Sequence, residues 1–268
     1  MANIVYARLG DARVVAATSE IAVSRDAAVI LDIDGILEFA TVLRTQQPDE
    51  TMEIVAKLVR IATQADVEQN AQNQILNAKD KPIVQQFVTK HNLSLNLVAV
   101  LRSFDGKKLL VMYTASDRVD FRLLVREMAS FFKMRIEMRQ ISEREEACFC
   151  GGCGVCGQPI CCRRFLTQPK QTTIKMAKIQ NSALTPNKVN GLCGKLMCCL
   201  QYEYGQYQEI LAQMPAIGTA VSTPSGDGVV EFNDCLREMV GVRLNSDGSV
   251  QKFALDKVSK QKGSGRDE

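Results

Sequence analysis

Thiols dominate the chemistry available to this chain. Of its ten cysteines, nine lie between Cys148 and Cys199. Within that block Cys150, Cys153 and Cys156 follow at C-x2-C-x2-C spacing, with Cys148 just upstream. A second pattern, C-G-x-x-x-C-C, occurs twice: over Cys156, Cys161 and Cys162, and again 37 residues on over Cys193, Cys198 and Cys199. Glycines beside the cysteines let the backbone wrap closely around an inorganic centre and turn N–H groups toward it. The C-x2-C-x2-C run is the spacing of bacterial ferredoxins, whose fourth thiolate arrives from another part of the chain. Here the fourth could be Cys161, Cys162 or a cysteine of the second copy. The pattern predicts a 4Fe–4S cluster, one or two, with a four-thiolate zinc site as the alternative. The second member of each Cys-Cys pair also suits a small buried hydrophobe, and Cys235, far from the block, reads as core.

Charge supports an anionic centre. Residues 151–200 contain no Asp or Glu but hold Arg163, Arg164, Lys170, Lys175, Lys178, Lys188 and Lys195. An oxidised 4Fe–4S cluster with four thiolates carries a formal charge of about −2, which a basic surround stabilises. The same side chains suit RNA phosphates, and a merely solvated basic face is the plainer alternative. The net charge of +3 does not by itself imply nucleic acid. With one histidine, the chain cannot build a His-rich metal site. No phosphate loop, GxSxG or HExxH motif is present, so no enzyme is expected. His91 reads as a helix-end residue interacting with the dipole. Asp117 and Asp120 read as caps of a helix whose Phe121 packs inward.

The positioning elements follow from pattern. Residues 1–47 predict short strands, with hairpin turns at Gly10-Asp11 and Asp34-Gly35. Asp49 is expected to cap a helix carrying Ile54, Leu58 and Ile61. Gln64 to Lys81 reads as an exposed helical connector, and Pro82 as the opening of a second helix. A hairpin, 95–101 with 108–114, turns at Asp105-Gly106. Ser116 or Asp117 then caps a helix, and 135–141 alternates as a strand. Residues 201–212 read as helix, and short β segments follow from Pro215. The predicted fold is α+β: a central helix-covered sheet with a Cys-rich cluster-binding segment, flanked at both ends by small β-barrel-like segments. The boundaries are 1–47 (β), 48–145 (α+β), 146–212 (Cys-rich), 213–258 (β-barrel) and 259–268 (flexible tail). No apolar run approaches the roughly 20 residues of a membrane helix. The start, MANIVYARLG, lacks a signal-peptide h-region, so a cytoplasmic protein without membrane insertion is expected. In that reducing compartment clustered thiols bind metal or do redox chemistry rather than form disulfides.

Several strings resemble a known family. They are Arg60-Ile61-Ala62-Thr63, Thr114 to Arg122, Arg135 to Ile141, Cys156 to Leu166, Ile174 to Asn181 and Gly191 to Glu203. Together they resemble the YaaT/RicT family of bacterial proteins, which shares a C-terminal region first named for a yeast polymerase-suppressor protein. The resemblance covers about residues 50–210. It implies a regulatory, non-enzymatic subunit linked to sporulation, competence and biofilm development. It further implies small helical partners of the YlbF and YmcA type, an RNase Y-like endoribonuclease whose mRNA processing is assisted, and weak RNA binding by the isolated chain. The family's cluster cysteines fall on Cys156, Cys161, Cys162, Cys193 and Cys198. Cys148, Cys150 and Cys153 depart from that pattern and could complete a cluster within this chain. The residues alone leave open a redox-sensing or electron-transfer protein, or a zinc-stabilised nucleic-acid-binding module.

Overall fold

The computed structural model describes residues 3–46, 53–117, 119–167 and 170–260. Asp49, part of Thr114–Arg122 at Arg118, and the tail beyond Lys260 lie outside them. The fold is mixed α+β and forms two compact units, 1–167 and 168–268.

The first unit begins with β1 (Asn3–Leu9), β2 (Val14–Ser19), β3 (Ala28–Ile33), β4 (Ile36–Gln46) and β5 (Ile54–Ile61). They close into a barrel in the order β1-β2-β5-β3-β4, with β4 returning to β1. Alternate residues fill it: Val5, Ala7 and Leu9 from β1, Val29 and Leu31 from β3, Ala40 and Val42 from β4. Asp34 and Gly35 both take positive φ, 53° and 78°, the type I′ geometry that suits a two-residue hairpin. The helix expected over Ile54–Ile61 is instead strand β5. Its buried residues are Ala56 and Leu58, two apart, while Ile54 and Ile61 face solvent at 45% and 46% exposure. Pairing with β2 in parallel and β3 in antiparallel fixes that period-2 register.

After the barrel come α1 (Gln64–Lys90), β6 (Asn96–Arg102), β7 (Lys108–Thr114), α2 (Arg122–Phe132) and β8 (Arg135–Gln140). The β6–β7 hairpin is antiparallel, and β8 joins β7 in parallel, as a strand reached through a helix must. Val84 and Val88 of α1, with Leu124 and Met128 of α2, share a buried cluster with Leu97, Val100, Leu109 and Val111 of the strands.

Two expectations about helices fail here. First, α1 is one helix: Pro82 lies inside it rather than opening a second one, while the stretch before Pro82 is helical and mostly exposed, as expected, with a single polar stripe turned inward. Asp66, Asn73 and Asp80 are buried along it. Asp66 completes a capping box with Thr63 and pairs with Arg60. Asn73 Nδ2 donates to the carbonyls of Ser103 and Phe104, and Asp80 takes Arg102 in a two-pronged ion pair, 2.6 and 3.1 Å. These anchors before Pro82, with Val84 and Val88 packed into the core after it, outweigh the missing helical hydrogen bond. Second, neither Ser116 nor Asp117 caps α2. Phe121 stands at the cap position with no side-chain bond, and Asp120 Oδ1 accepts from the Arg122 N–H at 3.1 Å. Phe121 does pack against the cluster, edge-on to Tyr113.

Charged pairs tie barrel and sheet together. Buried Lys108 reaches Glu38 of β4 at 2.9 Å, and Arg139 of β8 reaches buried Asp11 at 2.6 Å. The unit continues with α3 (Glu143–Cys150) and the four-residue α4 (Cys161–Arg164).

The second unit holds α5 (Ile174–Ile179), α6 (Pro186–Val189) and α7 (Cys198–Gln213). Then come β9 (Ala220–Thr223), β10 (Gly226–Asp234), β11 (Met239–Leu244), β12 (Val250–Ala254) and β13 (Ser259–Lys260). Ala177, Val189 and Leu200 form the small core of the three helices. The strands make one sheet in the order β12-β11-β10-β9-β13. Among the described residues nothing pairs β12 with β13, so this end is an open sheet rather than the expected barrel. Strand β13, two residues long, is too short to bridge the gap. Ser259 and Lys260 pair with β9 instead of starting the tail.

Candidate metal centre

The two CGxxxCC copies fold into the same knuckle. In the first, Cys153 bridges Pro159, the Gly154 N–H donates to the Gln158 carbonyl (2.8 Å), and the Gly157 N–H donates to Gly154 (3.0 Å). The Ile160 N–H returns to the Gly152 carbonyl at 3.1 Å, and Cys161 and Cys162 open α4. In the second, Asn190 bridges Leu196, the Gly191 N–H donates to Lys195 (2.9 Å), and the Gly194 N–H donates to Gly191 (3.0 Å). The Met197 N–H returns to Val189 at 2.9 Å, and Cys198 and Cys199 open α7. Each contact recurs at the offset of 37 residues seen in the sequence.

One glycine in each knuckle is required by its backbone, and a second lies in ordinary contact with the leading cysteine. Gly157 and Gly194 hold φ of 77° and 70°, the left-handed region that other residues enter at a cost. At Gly154 and Gly191 a Cβ would stand 3.6 Å from Cys156 Sγ and 3.8 Å from Cys193 Sγ. The spatial repeat is therefore G-x-C-G-x-x-x-C-C, two residues longer than the motif read from the cysteines. The signal, a glycine two before each leading cysteine, was in the sequence.

Cys148, Cys150 and Cys153 belong only to the first copy. Cys148 and Cys150 lie on the last turn of α3, and Cys153 takes the place that Asn190 has in the second knuckle. The ferredoxin-like run is thus spread over a helix end, a β-bridge and a turn. Protonated, Cys148 Sγ donates to the Cys162 carbonyl at 3.4 Å. Its thiol is pulled down to about 7, first because the Cys162 thiol donates to its thiolate, then because Arg8 and Arg163 lie nearby. Cys162 is pushed up by the same hydrogen bond and by burial. Arg163 also clasps α3 to α4, its Nη1 donating to the Phe149 carbonyl at 2.8 Å.

Among the described residues, no three His, Cys, Asp or Glu side chains gather closely enough to hold a metal ion. Each knuckle is then a partial donor set. Its chemistry still suits an iron–sulfur or zinc centre: every donor is a soft thiol, two glycines leave the backbone close to the leading cysteine, and residues 151–200 contain no carboxylate. Cys156, Cys161 and Cys162 would hold such a group on one knuckle, and Cys193, Cys198 and Cys199 on the other.

The seven basic residues of 151–200 are all exposed. Arg163 and Arg164 are on α4, Lys175 and Lys178 on α5, Lys188 on α6 and Lys195 in the second knuckle's turn, while Lys170 precedes α5. Cys235 is buried against Tyr207 and Met214, as a core thiol should be, and burial pushes its thiol up. His91 stands at the C-cap of α1, its Nε2 2.7 Å from Glu127 Oε2.

Residues 56–141 match the PSP1 C-terminal conserved region, and residues 171–214 match the third domain of PSP1-like proteins. The chain is 38% identical over 242 residues to the stage 0 sporulation protein YaaT of Bacillus subtilis (strain 168), covering 88% of this chain and 87% of that protein. The chain belongs to the YaaT family. No solved structure matches it. On this YaaT-family chain the first matched region runs from β5 through β8, and the second from just before α5 through α7 with the second knuckle. The first knuckle falls between them. Among the described residues no helix is long and apolar enough to cross a membrane.

Proposed function

We propose that this YaaT-family chain is a non-enzymatic regulatory adaptor that binds iron–sulfur clusters of the 4Fe–4S type through its two knuckles. It assists an RNase Y-like endoribonuclease in mRNA processing, in complex with small helical partners of the YlbF and YmcA type. The observation that carries the cluster reading is the repeat of one thiol-bearing knuckle, hydrogen bond for hydrogen bond, in both units. A loop selected only for packing has no reason to preserve a leading cysteine, a left-handed glycine and a helix-opening Cys-Cys pair twice over. The regulatory part rests on the kinship with a sporulation protein. The nuclease and the helical partners rest on the family resemblance of the cysteine strings.

Each knuckle carries three thiols, so a four-thiolate cluster on it draws its fourth ligand from another stretch of chain. Arg163, Arg164 and Lys195, within a few residues of the thiols, offset cluster charge first and meet RNA second. Anaerobic purification tests the cluster reading. The protein should be brown, absorb broadly near about 400 nm, as thiolate-bound clusters do, and yield iron and sulfide on assay. A colourless protein with stoichiometric zinc would overturn it in favour of a zinc-stabilised module. Charge reversal at Lys170, Lys175 and Lys178 tests the adaptor ranking. If it abolishes tight RNA binding by the isolated chain while iron stays bound, direct RNA recognition is the primary role.

A further inference from the structure

Two thiols at the first knuckle are already in contact. Cys148 of α3 lies 14 residues before Cys162 of α4, and its Sγ rests 3.4 Å from the Cys162 carbonyl oxygen. When Cys148 is ionised, the Cys162 thiol donates to it. Both side chains stand on pinned backbone. The Gly151 N–H donates to the Ala147 carbonyl at 2.8 Å and ends α3, and Arg163 Nη1 of α4 donates to the Phe149 carbonyl at 2.8 Å. Gly151 has φ of 79°, and a Cβ there would stand 2.7 Å from Arg163 Nη1, so the glycine makes room for that clasp. Cys148 and Cys162 are half-buried, whereas Cys150, Cys153 and Cys156 are exposed.

Positive charge surrounds the pair. Arg8 of β1 and Arg163 both lie near Cys148. The Arg8 Nε and Nη2 are closed off from solvent and meet no acceptor, so no carboxylate cancels the charge on that edge. Cations beside a thiol favour the thiolate, the form that attacks a disulfide. Among the described residues no third His, Cys, Asp or Glu joins the two thiols to make a metal site. In the metal-free chain they have each other. The second knuckle has no counterpart. The offset of 37 residues carries Cys162 to Cys199 but Cys148 to Thr185, whose hydroxyl does no thiol chemistry.

We infer that Cys148 and Cys162 form a reversible disulfide on reaction with a small organic disulfide, and that this bond closes the first knuckle to metal while the second stays open. The Cys148 thiolate attacks one sulfur of the small disulfide, whose S–S bond breaks and releases one thiolate. Cys162 then gives up its proton and attacks the Cys148 sulfur of the mixed disulfide, expelling the second thiolate. The protein loses two electrons and two protons, and the oxidant leaves as two thiols. Cys162 is then no longer a thiolate and cannot ligate. That the excluded metal is an iron–sulfur cluster rests on the proposed function; the lock itself does not. The test treats the metal-free full chain with oxidised glutathione and caps remaining thiols with N-ethylmaleimide. Disulfides are then reduced and labelled with iodoacetamide, and the tryptic fragment Glu145–Arg163 is sequenced by mass spectrometry. The second label should fall on Cys148 and Cys162 together. In a parallel titration with Co²⁺, followed by thiolate-to-cobalt absorption, the oxidised chain should bind about half the metal of the reduced chain. Reduction followed by removal of the reductant should restore the rest. Cys148→Ser should bind Co²⁺ like the reduced parent with or without oxidant, and Cys150→Ser should be locked like the parent. The inference is overturned if the label pairs Cys161 with Cys162 or Cys150 with Cys153, or if the oxidised chain binds Co²⁺ like the reduced one. It is also overturned if Cys148→Ser loses Co²⁺ before any oxidant is added, which would make Cys148 a ligand rather than a lock. A colourless, zinc-loaded protein from anaerobic purification would sink the cluster reading and leave the lock standing.

Discussion

At the scale of single residues, a thiol and the knuckle glycines give the sharpest tests. Cys148 has its thiol held down to about 7 by Cys162, Arg8 and Arg163. A lowered thiol ionises at more acid pH, so the reactive thiolate is present above that value and lost below it. Iodoacetamide labelling of the metal-free chain, mapped by mass spectrometry, should reach half its maximal rate at Cys148 near pH 7, against about 8.5 for an ordinary thiol. Cys162→Ala removes the donor and should move the midpoint toward the ordinary value. An unmoved midpoint would mean that the arginines alone set it. The second residue is the knuckle glycine. Gly157→Ala and Gly194→Ala force a Cβ into left-handed backbone, at about 1 kcal/mol each. Each should lower bound iron with little change in the fold, seen as an unaltered far-ultraviolet spectrum beside a reduced iron-to-protein ratio. These cysteines were legible in the sequence because spacing survives in one dimension. Arg8 was not. Its place beside Cys148, 140 residues on, is set by the fold and leaves no mark in the sequence.

Among elements, the long helix α1 is the place where local pattern and tertiary structure disagree. Its inward stripe over Asp66, Asn73, Asn77 and Asp80 is polar, so a search for apolar periodicity passes over it, and Pro82 looks like a beginning. The strands were easier to read. Asp105-Gly106 and Asp34-Gly35 announce their turns in two residues, and Arg135–Gln140 alternates. Strand β5 was misread because Ile54, Leu58 and Ile61 satisfy a helical period as well as their neighbours satisfy a strand. Only pairing with β2 and β3, distant in sequence, decides between them. Two outcomes follow from the account of α1. Pro82→Ala restores a helical N–H and should stabilise the protein by up to about 3 kcal/mol, read as a higher denaturant midpoint. Arg102→Ala strands the buried Asp80 carboxylate and should cost about 3–5 kcal/mol. In the second unit, Gly241 lies under the Phe232 ring, where a Cβ would stand 2.3 Å from Cε1. Gly241→Ala should therefore lower the melting temperature of the β9–β13 sheet, whereas Gly248→Ala, with open space around it, should suffer only from its φ of 70°.

For the molecule as a whole, the order of the barrel strands has a consequence for synthesis. Strand β5 is the last of the five to be made, yet it inserts between β2 and β3. Until Ile61 has cleared the ribosome the nascent chain has two strands with open edges facing each other across an unfilled slot. Such edges are templates for pairing with other chains. Contacts between strands far apart in sequence form slowly because a loop must close first. Chains arrested before β5 emerges should therefore be held by chaperones or aggregate, and those arrested after it should gain protease resistance in a single step. A pulling-force profile of the nascent chain would place that step no earlier than the emergence of Ile61. Translation speed through the codons just after β4 then becomes a determinant of yield, since it sets how long the slot stays open.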